Sequence, residues 1–140
     1  MDQDADIAWI LAHCRTVAVV GLSPKPHRDS YQVARYMQAR GWRIVPVNPM
    51  ATGQNILGEP VYPSLTEAAR FERIALVNCF RNSADIPPIV DEAITIDALA
   101  VWMQLGVEHD EAAARARKAG LRVVQNRCLK IDHAQNQNHE

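Results

Sequence analysis

The chain has 140 residues, of which 48% are hydrophobic and 22% are charged. This balance is typical of one globular domain with a sizeable core, and it excludes a disordered chain. The formal net charge of -1 excludes a generally basic surface for nucleic acid. The longest apolar runs fall short of the roughly 20 residues that cross a bilayer, so we expect no membrane segment.

The cysteines and the two ends of the chain bear on location and domain organisation. Cys14, Cys79 and Cys128 are an odd and sparse set, typical of reduced thiols in the cytoplasm rather than of a disulfide framework. The first residues are acidic, so we expect no signal or transit peptide. The polar residues 134–140 predict a frayed, disordered tail, which leaves a single domain over residues 1–133.

Five short and nearly continuous apolar runs predict strands that are buried on both faces, as in a parallel sheet. They cover residues 16–21, 42–47, 73–77, 98–103 and 121–124. Helical patterns cover residues 7–14, 31–40, a short stretch opening with a capping box at residues 64–67, residues 87–96 and residues 108–119. The alternation predicts an α/β fold: a doubly wound, mainly parallel sheet with helices on both faces.

Ligands of such sheets bind at the carboxyl ends of the strands, which directs attention to the loop after the first strand. A single fingerprint glycine, Gly21, is followed by a longer loop leading into a helix whose N-terminus can hold an anion. Lys25 and Arg28 can pair with phosphate oxygens, and Ser23 and Ser30 can donate hydrogen bonds. The alternative is a basic surface loop with Ser30 as the helix N-cap.

The end of the second strand argues against a nicotinamide cofactor. Enzymes that use NAD usually carry an acidic residue there, whereas this chain has Asn48-Pro49 and no carboxylate before Glu59. NADP is also unsupported, because no arginine lies between Asn48 and Leu57. Asn48 can bond a sugar or base and Pro49 can lie against a purine; the alternative is a simple turn.

The remaining strand ends add candidate residues but no catalytic constellation. Arg81 would direct a cation toward the cleft, or else would be a surface residue beside a Ser83 cap. Trp102 is favoured as a core residue over a ligand-stacking one. The histidines lack metal-ligand spacing, and nucleophile-elbow and Walker A motifs do not occur. Either Cys79 or Cys128 could be a reactive thiol, although a buried inert cysteine is favoured.

These residues together resemble the small stand-alone CoA-binding proteins, which are related to the CoA-binding domain of the succinyl-CoA synthetase α subunit. The resemblance runs from about the first strand to Asp132. It is carried by residues 20–26, Arg28, Ser30-Tyr31, Val45-Pro46-Val47-Asn48-Pro49, residues 58–62, Phe80-Arg81, Trp102-Met103-Gln104-Leu105-Gly106 and Asn126-Arg127-Cys128.

The resemblance implies a Rossmann-like fold and coenzyme A as the ligand. The turn at Gly21-Leu22-Ser23, with Lys25, Arg28 and Ser30, would hold phosphates, and Asn48-Pro49 with its neighbours would contact the adenosine. Phe80-Arg81 and the stretch from Trp102 to Gln104 would line the pantetheine path. The implied cofactor-binding residues are therefore Gly21, Leu22, Ser23, Lys25, Arg28, Ser30, Tyr31, Asn48, Pro49, Phe80, Arg81, Trp102 and Gln104.

The sequence departs from the synthetase pattern in two places. Residues 48–53 lack the lysine that the synthetase carries after its second strand, and we expect Lys25 and Arg28 to compensate. The synthetase's phosphohistidine belongs to a further domain, for which this chain has no room, so ligase activity is not expected.

We therefore expect a module that binds CoA or acyl-CoA without catalysis of its own. It would act as a carrier, a sensor or a subunit with a protein partner or a second copy of itself. The alternatives are an NAD(P)-dependent enzyme or redox regulator, a subunit that has lost its ligand site, and a protein that forms a mixed disulfide with CoA.

Overall fold

The protein, described from a computed structural model over residues 3–137, is built on five parallel strands. The strands in chain order are β1 Thr16–Val20, β2 Arg43–Val47, the short pair β3 Asn55–Ile56 and β4 Glu59–Pro60, β5 Leu76–Cys79, β6 Ala100–Met103 and β7 Arg122–Val124. The main sheet has the order β2-β1-β5-β6-β7, and β3 and β4 form a separate antiparallel hairpin.

Helices cover both faces of the sheet, as predicted. They are α1 Asp4–His13, α2 Asp29–Ala39, α3 Leu65–Ala68, α4 Ile86–Thr95, α5 Asp110–Lys118 and α6 Leu129–Gln137, with a 3₁₀ turn at Ser83–Asp85 before α4. One core layer joins the sheet to α3, α4 and α5, and the other joins it to α1, α2 and α6. The doubly wound, Rossmann-like α/β fold is confirmed. None of the helices within residues 3–137 is long and apolar enough to span a bilayer.

Local sequence signals explain where several elements start and stop. At the end of α2, Gly41 adopts a φ of 89°, and Trp42 N–H donates to the Met37 carbonyl over 3.1 Å. This 6→1 bond is typical of a glycine-terminated helix. At the start of α3, Ser64 Oγ accepts a bond of 3.1 Å from Glu67 N–H. That is half of the predicted capping box, since the Glu67 carboxylate pairs with Arg70 at 2.7 Å.

Two differences from the sequence expectation bear on the cleft. Strand β5 starts later than predicted, at Leu76, and continues through the fully buried Asn78. Helix α6 was not predicted; residues 134–137, assigned to the polar tail, belong to it, and residues 138–140 lie outside the described part of the chain. Its buried side chains are Leu129, Asp132 and His133. Because two of these three are polar, the helix lacks the apolar stripe by which an amphipathic helix is detected.

The strand order places a topological switch point between β1 and β5. The crossover from β1 to β2 carries α2 on one face, whereas the later crossovers carry α3, α4 and α5 on the other. A crevice therefore opens at the carboxyl ends of β1 and β5, where ligands of doubly wound sheets bind.

Candidate ligand-binding cleft

An open cleft of about 750 Å³ occupies this switch point. Its walls come from the loops after β1, β2, β5 and β6, from the first half of α2 and from the start of α6. The lining residues are Gly21, Asp29, Gln32, Val33, Asn48, Met50, Phe80, Arg81, Asn82, Gln104, Leu105, Val107, Cys128, Lys130 and Ile131. Among the predicted site residues, Gly21, Asn48, Phe80, Arg81 and Gln104 are thus brought together.

Gly21 allows the two strand-end loops that flank the switch point to touch. Its φ is 90°, and a Cβ added to it would lie 2.5 Å from the Phe80 carbonyl oxygen. Its N–H donates to the Val47 carbonyl over 2.8 Å, which ties the end of β1 to the end of β2. Only glycine satisfies both the backbone angle and the close approach at this position.

The loop between β1 and α2 is held by its two serines. Ser30 is buried, and its Oγ accepts a bond of 3.0 Å from Ser23 N–H, while Ser23 Oγ accepts one of 3.1 Å from Lys25 N–H. The N-cap position of α2 is occupied by Arg28 without a side-chain bond, so the interpretation of Ser30 as the N-cap was wrong. Ser30 instead fixes the path of the loop that carries Lys25 and Arg28.

Asn48 joins the first and second strand-end loops. Its Nδ2 donates to the Leu22 carbonyl over 2.9 Å, and its Oδ1 accepts from Met50 N–H over 2.9 Å. The second bond is the turn-forming pattern that the sequence offered as the alternative. Asn48 lines the cleft, but its amide is already engaged with backbone groups. Pro49 lines a separate hollow of about 290 Å³ on the other side of Gly21.

Four cations lie around the cleft: Lys25, Arg28 and Arg81 are exposed, and Lys130 is half-buried. Lys25 and Arg28 lie on the loop before α2, outside the cleft wall, and their charged groups have no ion-pair or hydrogen-bond partner within residues 3–137. Arg81 lines the cleft and stands 3.4 Å from Asp85, and Lys130 adds a second positive charge to the wall. Asp29, in the first turn of α2, is an opposing negative charge. The cations therefore outnumber the carboxylates at this end of the sheet.

Apolar side chains form the rim of the cleft. Met50 is 86% exposed, Leu105 59% and Ile131 50%, and all three line the opening. They are three of the five large apolar side chains that are exposed within residues 3–137. Exposed apolar side chains grouped around one opening are typical of a surface that binds a ligand or partner.

Besides the residues of the loop before α2 and Pro49, three further predicted site residues do not line the cleft. Trp102 is fully buried, and its Nε1 donates to the Arg127 carbonyl over 2.9 Å, so it is a core residue and its assignment to the pantetheine path is corrected. The Leu22 side chain is also fully buried, which leaves its backbone as the part next to the cleft. Tyr31 is half-buried against the core layer of α1, α2 and α6.

Helix α6 brings the residues that the sequence interpretation did not place at the site. Lys130 and Ile131 reach the cleft because α6 packs against α2 beside the carboxyl end of β6. Met50 and Leu105 closely follow the predicted strands 42–47 and 98–103, so their positions after these strands could have identified them as cleft residues. Nothing in the periodicity of residues 129–137 could have identified the other two.

The three cysteines differ in accessibility. Cys79 is fully buried, and burial raises the pKa of its thiol to about 12. Burial also raises the pKa of the Cys14 thiol to about 11. Cys128 is half-buried and lines the cleft. Of the two cysteines considered for thiol chemistry, the structure therefore favours Cys128 and makes Cys79 an inert core residue.

Comparison with known proteins identifies the family of this chain. A family model described as "CoA binding domain" matches residues 15–134. The chain belongs to the CoA-binding domain family. It is 38% identical over 130 residues to the uncharacterized protein YneT of Bacillus subtilis, with 93% of each chain covered.

Solved structures carry the same fold. A hypothetical protein from Pyrococcus horikoshii is 36% identical, with a TM-score of 0.86, 94% of this chain covered and 90% of that one. A dinucleotide-forming acetyl-coenzyme A synthetase from Ca. Korarchaeum cryptofilum has a TM-score of 0.66 at 20% identity, over 78% of this chain and 25% of the synthetase. That second likeness shows a shared fold.

Proposed function

We propose that this member of the CoA-binding domain family binds CoA or acyl-CoA in the switch-point cleft and has no catalysis of its own. The observation that carries the proposal is an open cleft at the α2 N-terminus, with unpaired cations beside it and an apolar rim. CoA combines the matching parts: a phosphate-rich nucleotide and a long, weakly polar pantetheine arm.

The phosphates would lie near the loop before α2. The helix N-terminus attracts anions through its unpaired N–H groups and its dipole. Lys25 and Arg28 are free to pair with phosphate oxygens, and the buried Ser30 holds their loop in place. Asp29 opposes this charge, so we expect the cations to be needed for tight binding.

NAD fits the same cleft less well. The position at which NAD enzymes grip the ribose diol with a carboxylate is occupied here by Asn48, whose amide is engaged by Leu22 and Met50. The alternative of an NAD(P)-dependent enzyme therefore has no recognition group at this strand end. Turnover that depends on nicotinamide would revive it.

The test of the proposal is thermal unfolding with and without ligand. A ligand at one hundred times its dissociation constant stabilises a protein by about 2.7 kcal/mol, which raises the melting temperature of a domain this size by several degrees. We expect such a rise with millimolar CoA and a much smaller one with NAD. No shift with CoA would overturn the proposal.

A variant without the two loop cations tests whether the protein binds CoA through this loop or has lost its ligand site. The double variant Lys25→Ala, Arg28→Ala is expected to weaken CoA binding about tenfold or more. A hydrogen bond to a charged group contributes roughly 1.5–3 kcal/mol, and solvent screening of exposed side chains reduces that contribution. The matched control is Arg117→Ala with Lys118→Ala on α5, two exposed cations away from the cleft. Equal CoA affinity in both variants would mean that the loop is not part of the site.

The biological role that we propose is a cytoplasmic carrier, sensor or partner subunit. All three cysteines are free thiols in the structure, as suits a reducing compartment. The apolar rim of Met50, Leu105 and Ile131 offers a surface for a protein partner or a second copy once the cleft is filled. Copurification of the ligand and partner, identified by mass spectrometry, tests this role.

Thiol exchange is a second candidate function, favoured by the position of Cys128 in the cleft wall. The Cys128 thiolate would attack CoA disulfide, form a protein–CoA mixed disulfide and release one CoA thiol, so that atoms and electrons balance. Intact-mass analysis after incubation with CoA disulfide should show one adduct. Absence of the adduct, or its persistence in Cys128→Ser, would rule the reaction out.

A further inference from the structure

A buried polar pair lies beneath the floor of the cleft. Asn78 is the third residue of β5, and it is fully buried in a strand whose other members are Leu76, Val77 and Cys79. Its Nδ2 donates to Gln104 Oε1 over 3.2 Å and to the Trp102 carbonyl over 3.3 Å. Asn78 thus connects the central strand to a residue that lines the cleft.

The hydrogen bonds of Gln104 fix which way its amide faces. Gln104 Oε1 also accepts from Leu129 N–H, over 3.3 Å, at the start of α6. A backbone N–H can only donate, so the side-chain atom that faces it must be the oxygen. Gln104 therefore has its oxygen, and not its Nε2, toward Asn78 and the start of α6.

The Nε2 group is left available to a ligand. Gln104 lines the cleft with 6% of its surface exposed, and its Nε2 donates to no atom within residues 3–137. A second glutamine of the same wall, Gln32, differs: its Nε2 donates to the Pro26 carbonyl and its Oε1 accepts from Arg35 over 2.7 Å. Gln104 is thus the glutamine of this cleft with a free and oriented donor.

The orientation comes at a cost to the core. Asn78 Oδ1 is buried and has no hydrogen-bond partner within residues 3–137. An unsatisfied polar atom in a core destabilises the protein, and an apolar side chain at this position would avoid that cost. A buried polar residue that is kept at such a cost and is bonded to Gln104 is the expected signature of a positioning residue.

We propose that Gln104 donates from Nε2 to a carbonyl oxygen on the pantetheine side of the ligand, and that Asn78 is the positioning residue that orients it. This inference rests on the proposed function and deepens it, since it assigns the arm-binding part of the cleft. The shared chemistry is a carbonyl acceptor, which is either a pantetheine amide or the thioester of an acyl-CoA.

The test compares CoA with adenosine 3′,5′-bisphosphate, a nucleotide that lacks the pantetheine arm, by calorimetry. Gln104→Met should weaken CoA binding about tenfold and leave the bisphosphate affinity nearly unchanged. Gln38→Met, near the other end of α2 and outside the cleft wall, is the matched control, and its ratio of the two affinities should equal that of the wild type. An unchanged ratio in Gln104→Met, with CoA still bound, would overturn the inference.

Asn78→Leu tests the positioning role. It should lower the CoA affinity selectively, by a few-fold, and should add nothing in a Gln104→Met background, because residues that act through one contact are not additive. Equal losses for both ligands, or full additivity in the double variant, would overturn the role of Asn78.

Acetyl-CoA identifies the carbonyl. If Gln104→Met weakens CoA and acetyl-CoA equally, the acceptor is a pantetheine amide; if it weakens acetyl-CoA by more than CoA, the thioester carbonyl accepts as well. The proposed function fails in a different way, because then wild-type protein binds neither CoA nor the bisphosphate.

Discussion

The close approach at Gly21 gives the sharpest test of the cleft geometry. In Gly21→Ala, the new Cβ would lie 2.5 Å from the Phe80 carbonyl oxygen, where real Cβ atoms keep at least about 3.0 Å. Backbone must therefore move by about half an ångström at the ends of β1 and β5. The left-handed backbone adds about 1–2 kcal/mol for any residue with a side chain.

Gly41→Ala is the matched control for the backbone cost. Gly41 has a φ of 89° against 90° for Gly21, and a Cβ added there would meet nothing within 4 Å. We expect Gly41→Ala to lose about 1–2 kcal/mol, and Gly21→Ala to lose about 2–5 kcal/mol because steric overlap in packed backbone costs roughly 1–3 kcal/mol more.

The assay is urea unfolding at equilibrium, in which a lower midpoint at unchanged slope reports lost stability. CoA affinity is measured on both variants, and it should fall in Gly21→Ala alone because Gly41 lies at the other end of α2. Equal stability losses in the two variants would refute the contact between the two strand-end loops.

Three further predictions concern thiols, pH and the turn after β2. A disulfide reagent should modify Cys128 first, and Cys79 only as the pH approaches its raised pKa of about 12 or the protein unfolds. The Arg43 guanidinium, 2.6 Å away, lowers the pKa of Glu72 below its ordinary 4.5, so this pair stabilises the fold above that pH and loses its effect as the pH falls through the lowered pKa. Glu72→Gln should therefore cost about 0.5–1 kcal/mol at pH 7, and its stability should converge with that of the wild type in acid. Asn48→Ala should cost about 1–3 kcal/mol, because the Leu22 carbonyl and Met50 N–H each lose a partner, and it should weaken CoA binding as the two loops separate.

Part of the site followed directly from sequence. Gly21, Arg81 and Gln104 were predicted because each lies at the end of a predicted strand or a few residues beyond it, and parallel strands bring their carboxyl ends to one edge. The loop with Lys25 and Arg28 was identified from its charges. The sequence did not show that these two residues lie outside the cleft wall. Trp102 was assigned to both the core and the pantetheine path, and burial decides for the core.

The sequence by itself determined the doubly wound fold, because strands that are buried on both faces and helices with apolar stripes leave periodic signals along the chain. It could not reveal α6, since two of the three side chains that this helix buries, Asp132 and His133, are polar. Arg127, just before the helix, holds the first at 2.5 Å, and Tyr36 of α2 holds the second at 3.0 Å. The direction of the Gln104 amide was likewise decided only by tertiary structure. It depends on a donor from β5 and another from α6, which the chain brings together only when it folds.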